Sequence, residues 1–151
     1  MLPQRKFREV VFQLLYAFDF TKNEEKEELS LLFDQVELPQ DAIYLAQEKV
    51  QRIAMHFPVI DALIAKASQG YRIERIAKAE LNILRLGAFE LLYDGTIPSK
   101  VAISEAIRLT RKFSTKEGAT FVNAVLDRIY QQEGARQEET CLREKAGSCG
   151  A

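Results

Sequence analysis

Tryptophan is absent from this chain, histidine occurs once and cysteine twice. Those absences remove much of the chemistry an enzyme needs. His56 stands beside Phe57 with no cysteine near it, so no zinc-ligand spacing exists. Cys141 and Cys149 lie together in a polar, glycine-containing tail and form no disulfide framework. They read as tail thiols of a reducing compartment. Glycine and proline are sparse, and no phosphate-cradling glycine loop or nucleophile elbow occurs. Paired carboxylates stay open, because acids are plentiful and sequence does not give their distances. The start of the chain lacks the apolar segment and cleavage site of a signal peptide, and no run is long enough to span a membrane. A cytoplasmic protein without cofactor, a binding module and not a catalyst, is expected. Charge of one sign is also lacking. The net charge is −1, so bulk electrostatics give no support for nucleic-acid binding and any basic footprint must be local.

The residues present suit one helical domain. At 151 residues, 47% hydrophobic and 28% charged, the chain can bury a core without metal or disulfide staples. Its organising stretch is AELNILRLGAFELLY, residues 79–93. Only Asn82, Arg85 and Glu90 interrupt an apolar surface that runs round most of a helix, which predicts a buried central helix. No segment alternates with period two between hairpin turns, so the fold class is all-α.

In chain order, a first helix is predicted from Pro3 to about Phe20, with Phe7, Val10, Val11, Leu14, Leu15 and Phe18 as its stripe. Residues 21–28 are an acidic connection, and Leu29, Leu31, Leu32 and Phe33 suggest a short second helix. A third opens near Asp41 and is ended or kinked by Pro58, and a fourth closes near Gly70. The central helix ends at Asp94-Gly95, with Gly95 as the left-handed cap. A sixth helix covers about 98–113. Ser114 or Thr115 caps the last, whose apolar face is Phe121, Val122, Val125, Leu126 and Ile129. The domain is placed at 1–133, with residues 134–151 a disordered tail.

Three features suggest binding. Arg5, Lys6 and Arg8 crowd the start of the first helix, where the dipole disfavours cations. Either they serve a ligand or they are a solvated end. Phe12, Tyr16 and Phe20 give the same helix a second apolar side, packed internally or offered to a partner. Glu90 is an acid among apolar neighbours, which calls for a donor from a partner or from an internal group such as an arginine. By contrast, Arg108, Arg111 and Lys112 complement the carboxyl end of their helix and need no ligand.

The pattern LR-x-x-x-x-E-L, then IP-x-KVAI-x-EAI, then KF and FVNAVLD, within residues 79–129, resembles the C-terminal half of the NusB family of bacterial transcription antitermination factors. RKFRE followed by VFQLLYAFDF is similar to that family's basic first helix. The resemblance covers most of residues 4–130, weakly between 21 and 72. It implies about seven helices in two three-helix-bundle-like halves, about 1–66 and 71–133, without enzymatic activity. It also implies binding of single-stranded boxA RNA together with NusE, a small-subunit ribosomal protein. The pair would join an antitermination complex on RNA polymerase and support ribosomal RNA transcription. On this chain the implied RNA-binding residues are Arg5, Lys6, Arg8 and Phe121, the last stacking on a base or else packing in the core. The implied NusE contacts are Tyr16 and Glu90. The basic motif is thinner than usual, since Gln4 and Phe7 stand where the family often has a cation and alanine. Two other readings stay open. One is the NusB-like domain of a ribosomal RNA cytosine methyltransferase, which needs a downstream catalytic domain. The other is a helical interaction module without RNA binding. Family members differ in being monomers or homodimers when free, and both states stay open here.

Overall fold

Six α-helices and two short turns of other helix types account for nearly all of residues 3–19, 39–70 and 72–134, which the computed structural model describes. The all-α expectation holds, and no strand occurs among the described residues. The expected short second helix, the acidic connection and the cysteine-bearing tail lie outside them.

The chain divides into two compact units, residues 1–57 and 58–151. In the first unit, α1 (Gln4–Asp19) packs on α2 (Gln40–Met55). Pro3 precedes α1 and its carbonyl accepts the Phe7 amide at 3.0 Å, so it closes the first turn from just outside. Val10, Val11, Phe12 and Leu15 are buried on α1, and Ala46, Val50 and Ile53 on α2. Phe18, predicted to lie inward, is half exposed, its ring 6.3 Å from that of Phe57. α2 begins directly after Pro39 and stops at Met55, short of Pro58.

The second unit holds α3 (Phe57–Ala67, from its second residue onward), α4 (Lys78–Tyr93), α5 (Ser99–Phe113) and α6 (Lys116–Ile129). Pro58 therefore sits in the first turn of α3, where a missing amide costs nothing. α3 ends through Gln69 at φ 44° and Gly70 at φ 96°, the left-handed exit that glycine makes easy. The expected division of the halves falls after residue 66, whereas α3 groups with the later helices. Asp61 pairs with Arg85 of α4, and Arg128 of α6 donates to the Ala67 carbonyl at 2.7 Å. That last bond places a cation on the carboxyl end of α3, the favourable sense for its dipole.

α4 is the buried centre of this unit, as its composition predicts: every residue from 81 to 90 is buried. α5 and α6 both pack against it. Gly87 makes the crossing possible, since a Cβ there would stand 2.9 Å from Leu126 Cδ1 and 3.5 Å from Ala106 Cβ. Gly95 is not the left-handed cap expected of it, because its φ is not positive. Instead the Asp94 carboxylate accepts the Thr96 amide at 3.1 Å and the Thr96 hydroxyl at 2.6 Å, turning the chain with a side chain. Thr115 caps α6 by accepting the Gly118 amide at 2.9 Å. The Glu80 carboxylate accepts the Ser114 hydroxyl and lies where a Cβ on Gly118 would be, so the α5–α6 turn closes against α4.

Candidate nucleic-acid and partner interface

The first turn of α1 carries no acid, and Arg5 and Lys6 on it are exposed. Two adjacent cations at a helix start meet unfavourable dipole potential, so solvent exposure there favours an anionic ligand. Arg8 is different. It is only 5% exposed, so its guanidinium is held within the protein and not presented to a ligand. Helical spacing explains this, because 8, 11, 12 and 15 form one i, i+3, i+4, i+7 row whose other members are Val11, Phe12 and Leu15. Phe7, half buried between the exposed and the buried cation, lies under the Lys49 ammonium at 5.8 Å. The basic surface is thus two exposed side chains, not three.

Tyr16 lies on the same helix roughly 16 Å beyond Arg5, at 1.5 Å per residue. It is half buried, its ring 6.0 Å from that of Phe12 and tilted by 44°. Phe12 is buried, so the second apolar side of α1 is internal at Phe12 and reaches the surface at Tyr16.

Phe121 and Glu90 belong to the second unit, on different helices. Phe121 is half buried between exposed Thr120 and Asn123, while Val122, Val125, Leu126 and Ile129 form the buried face of α6. Its ring is thus neither part of the filled core nor fully exposed. Glu90 is 2% exposed. Among the described residues every buried side-chain nitrogen or oxygen has a hydrogen-bond partner, so burial of this acid does not require a donor from another protein. Its place among apolar neighbours therefore gives no physical reason to expect a protein partner at Glu90.

Two other polar residues of α4, Arg85 and Asn82, have hydrogen-bond partners inside the second unit. Arg85 makes a fork onto Asp61, Nε to Oδ1 and Nη2 to Oδ2 both at 2.9 Å, and its Nη1 donates to Asn82 Oδ1 at 3.2 Å. The Asn82 amide donates in turn to the Lys78 carbonyl at 2.9 Å. Sequence reasoning marked Arg85 only as an interruption and had no means of finding Asp61, 24 residues away. Among the described residues no cluster of three His, Cys, Asp or Glu side chains is placed to hold a metal ion. No helix among them is long and apolar enough to cross a membrane.

The described residues thus form an all-helical fold with buried polar pairs, an exposed basic helix start and a half-buried aromatic. Residues 5–131 match the model of the NusB family. The transcription antitermination protein NusB of Thermodesulfovibrio yellowstonii is 35% identical over 142 residues, spanning 87% of this chain and 94% of that protein. That of Agathobacter rectalis is 38% identical over 127 residues, spanning 83% and 97%. Among solved structures, NusB from T. maritima superposes with a TM-score of 0.75 at 28% identity, over 92% of this chain and 98% of that one. A NusB chain crystallised with NusE and double-stranded RNA gives 0.68 at 26%, over 85% and 96%. The chain belongs to the NusB family, and the relatives matched here are transcription antitermination proteins.

Proposed function

We propose that this chain is an antitermination adaptor that binds single-stranded boxA RNA together with NusE and carries both to RNA polymerase during ribosomal RNA transcription. The observation that supports it most is the exposed Arg5–Lys6 pair at the start of α1, in a protein whose net charge is −1. Phosphate contacts from two cations give weak affinity, so sequence selection rests on base contacts and on the partner protein. Phe121 supplies a stacking face, and Tyr16 the centre of the NusE contact. Glu90 joins that contact by family resemblance alone. Arg8 holds α1 in place and so presents Arg5 and Lys6. The protein acts in the cytoplasm.

The test is fluorescence anisotropy of a labelled boxA-like RNA, with and without NusE, against a scrambled RNA. Tighter, sequence-dependent binding when NusE is present is expected. Phe121→Leu is expected to weaken that binding by about tenfold, since stacking contributes roughly 1–3 kcal/mol per base, with little change in thermal stability. Equal weak binding to both RNAs, whatever NusE does, would leave a protein-interaction module.

A further inference from the structure

A second charged feature lies within the second unit. Between α5 and α6 runs an open cleft of about 470 Å³, lined by Lys100, Ile103, Ser104, Ile107, Arg108 and Arg111 of α5 and by Asn123 and Asp127 of α6. Its floor is apolar: Ile103 and Ile107 are half buried and stand one turn apart. Its rim is basic. Lys100 and Arg111 are exposed, and neither has an ion-pair partner among the described residues. Arg108 is steered toward the rim by Glu105, Nε to Oε2 at 2.7 Å. The carboxyl-end dipole explains Arg111 but not Lys100, which sits in the first turn of α5 where that dipole opposes it.

An apolar floor between cations distinguishes kinds of ligand. A nucleic-acid strand would use aromatic platforms and an unbroken basic wall. Here the floor is aliphatic and the cations stand on the α5 wall alone, since the α6 wall presents Asn123 and Asp127. Phe121 lies on a different side of α6, about 160° round the helix from Asn123 at 100° per residue. Lys100 and Arg111 are eleven positions apart, roughly 16 Å or three turns along α5. We propose that this cleft docks an acidic amphipathic helix of a partner protein. Two apolar side chains one turn apart seat on Ile103 and Ile107, with carboxylates against Lys100 and Arg111 and a side chain at Asn123 for a polar contact. The cleft uses none of the proposed RNA-binding residues, so it would tether a second protein while RNA is held.

The probe is a fluorescein-labelled helical peptide of about four turns, with two leucines one turn apart and glutamates at the flanking positions. Methyl-labelled isoleucine spectra of the full chain read where it lands. Saturable binding is expected, with shifts at the Ile103 and Ile107 methyls and loss of affinity as salt rises. K100E/R111E, two exposed sites that leave the circular dichroism melt unchanged, is expected to raise Kd by about tenfold. A peptide with lysine in place of glutamate should bind the double variant better than the parent. The proposal is overturned by absence of saturable binding, by shifts at other isoleucines only, or by equal affinity for parent and double variant. It is also overturned if a uridine oligonucleotide shifts the same two methyls more strongly than the peptide. None of these outcomes depends on whether boxA RNA binds at α1.

Discussion

Replacing Arg85 by leucine is expected to destabilise the second unit by roughly 2–4 kcal/mol, although leucine fills much of the same space. The contacts of the guanidinium include three hydrogen bonds, two to Asp61 and one to Asn82. In the variant the Asn82 carbonyl, on a residue with no exposure, loses that hydrogen bond. Losing a buried hydrogen bond of this kind costs about 1–3 kcal/mol. Asp61 recovers part of its loss, because its side chain is 25% exposed and water can replace the arginine. The effect therefore falls short of what an isolated buried charge would cost. Arg85→Lys keeps the charge but cannot fork onto the carboxylate, so an intermediate loss is expected. Asp61→Asn should cost less than Arg85→Leu, since it leaves the contact with Asn82 in place. Urea midpoints of the three variants check the order. A leucine variant as stable as the parent would show that the fork contributes no net stability.

Valine at position 87 is expected to cost a similar amount for a steric reason. The Cβ alone would stand 2.9 and 3.3 Å from the two methyls of Leu126 and 3.5 Å from the Ala106 methyl. Leu126 is fully buried, so any shift it makes must be taken up by the residues packed around it. Adding two branch methyls at a helix crossing forces the α4–α6 packing apart, at roughly 2–4 kcal/mol. For a chain of this size that lowers the melting midpoint by roughly 6–14 °C. Gly87→Ala is the informative contrast. Alanine gains about 0.5–1 kcal/mol of helix propensity over glycine, which offsets a small displacement of Leu126. Near-parental melting for alanine with a large loss for valine would place the constraint at the crossing itself. Equal, small effects would mean that α4 and α6 can separate freely.

The contrast between these two positions shows what was legible in the sequence. The burial of α4 followed from its all-round apolar surface, and the Thr115 cap from residue type just before an apolar period. Both are local properties. Glu90 and Arg85 were legible as conflicts but not as solutions, because a buried charge announces a partner without saying which one. Gly87 gave a weaker signal: a glycine within a strong helical pattern marks close approach, but not of which helix. Gly95 misled because residue type favoured a left-handed cap, while the Asp94 side chain already made the turn. Among the proposed site residues, Arg5 and Lys6 were marked by charge against dipole, and their RNA role came from the family resemblance. The burial of Arg8 was readable too, from its register with Val11, Phe12 and Leu15, but grouping it with its basic neighbours hid that row. The cleft between α5 and α6 depends on which two helices become neighbours, which composition does not give.

If two cations at the start of α1 hold an RNA backbone in an otherwise slightly acidic protein, salt must weaken the complex through them. The direct measurement is the salt dependence of boxA RNA affinity with NusE present, for the parent and for R5A/K6A. Each phosphate contact on a single strand contributes a slope of about 0.7 in log affinity against log salt. The double variant should bind more weakly at low salt and show a slope shallower by about 1.4. A slope identical to the parent's, with affinity unchanged, would contradict that role for Arg5 and Lys6 and move the RNA contact away from α1.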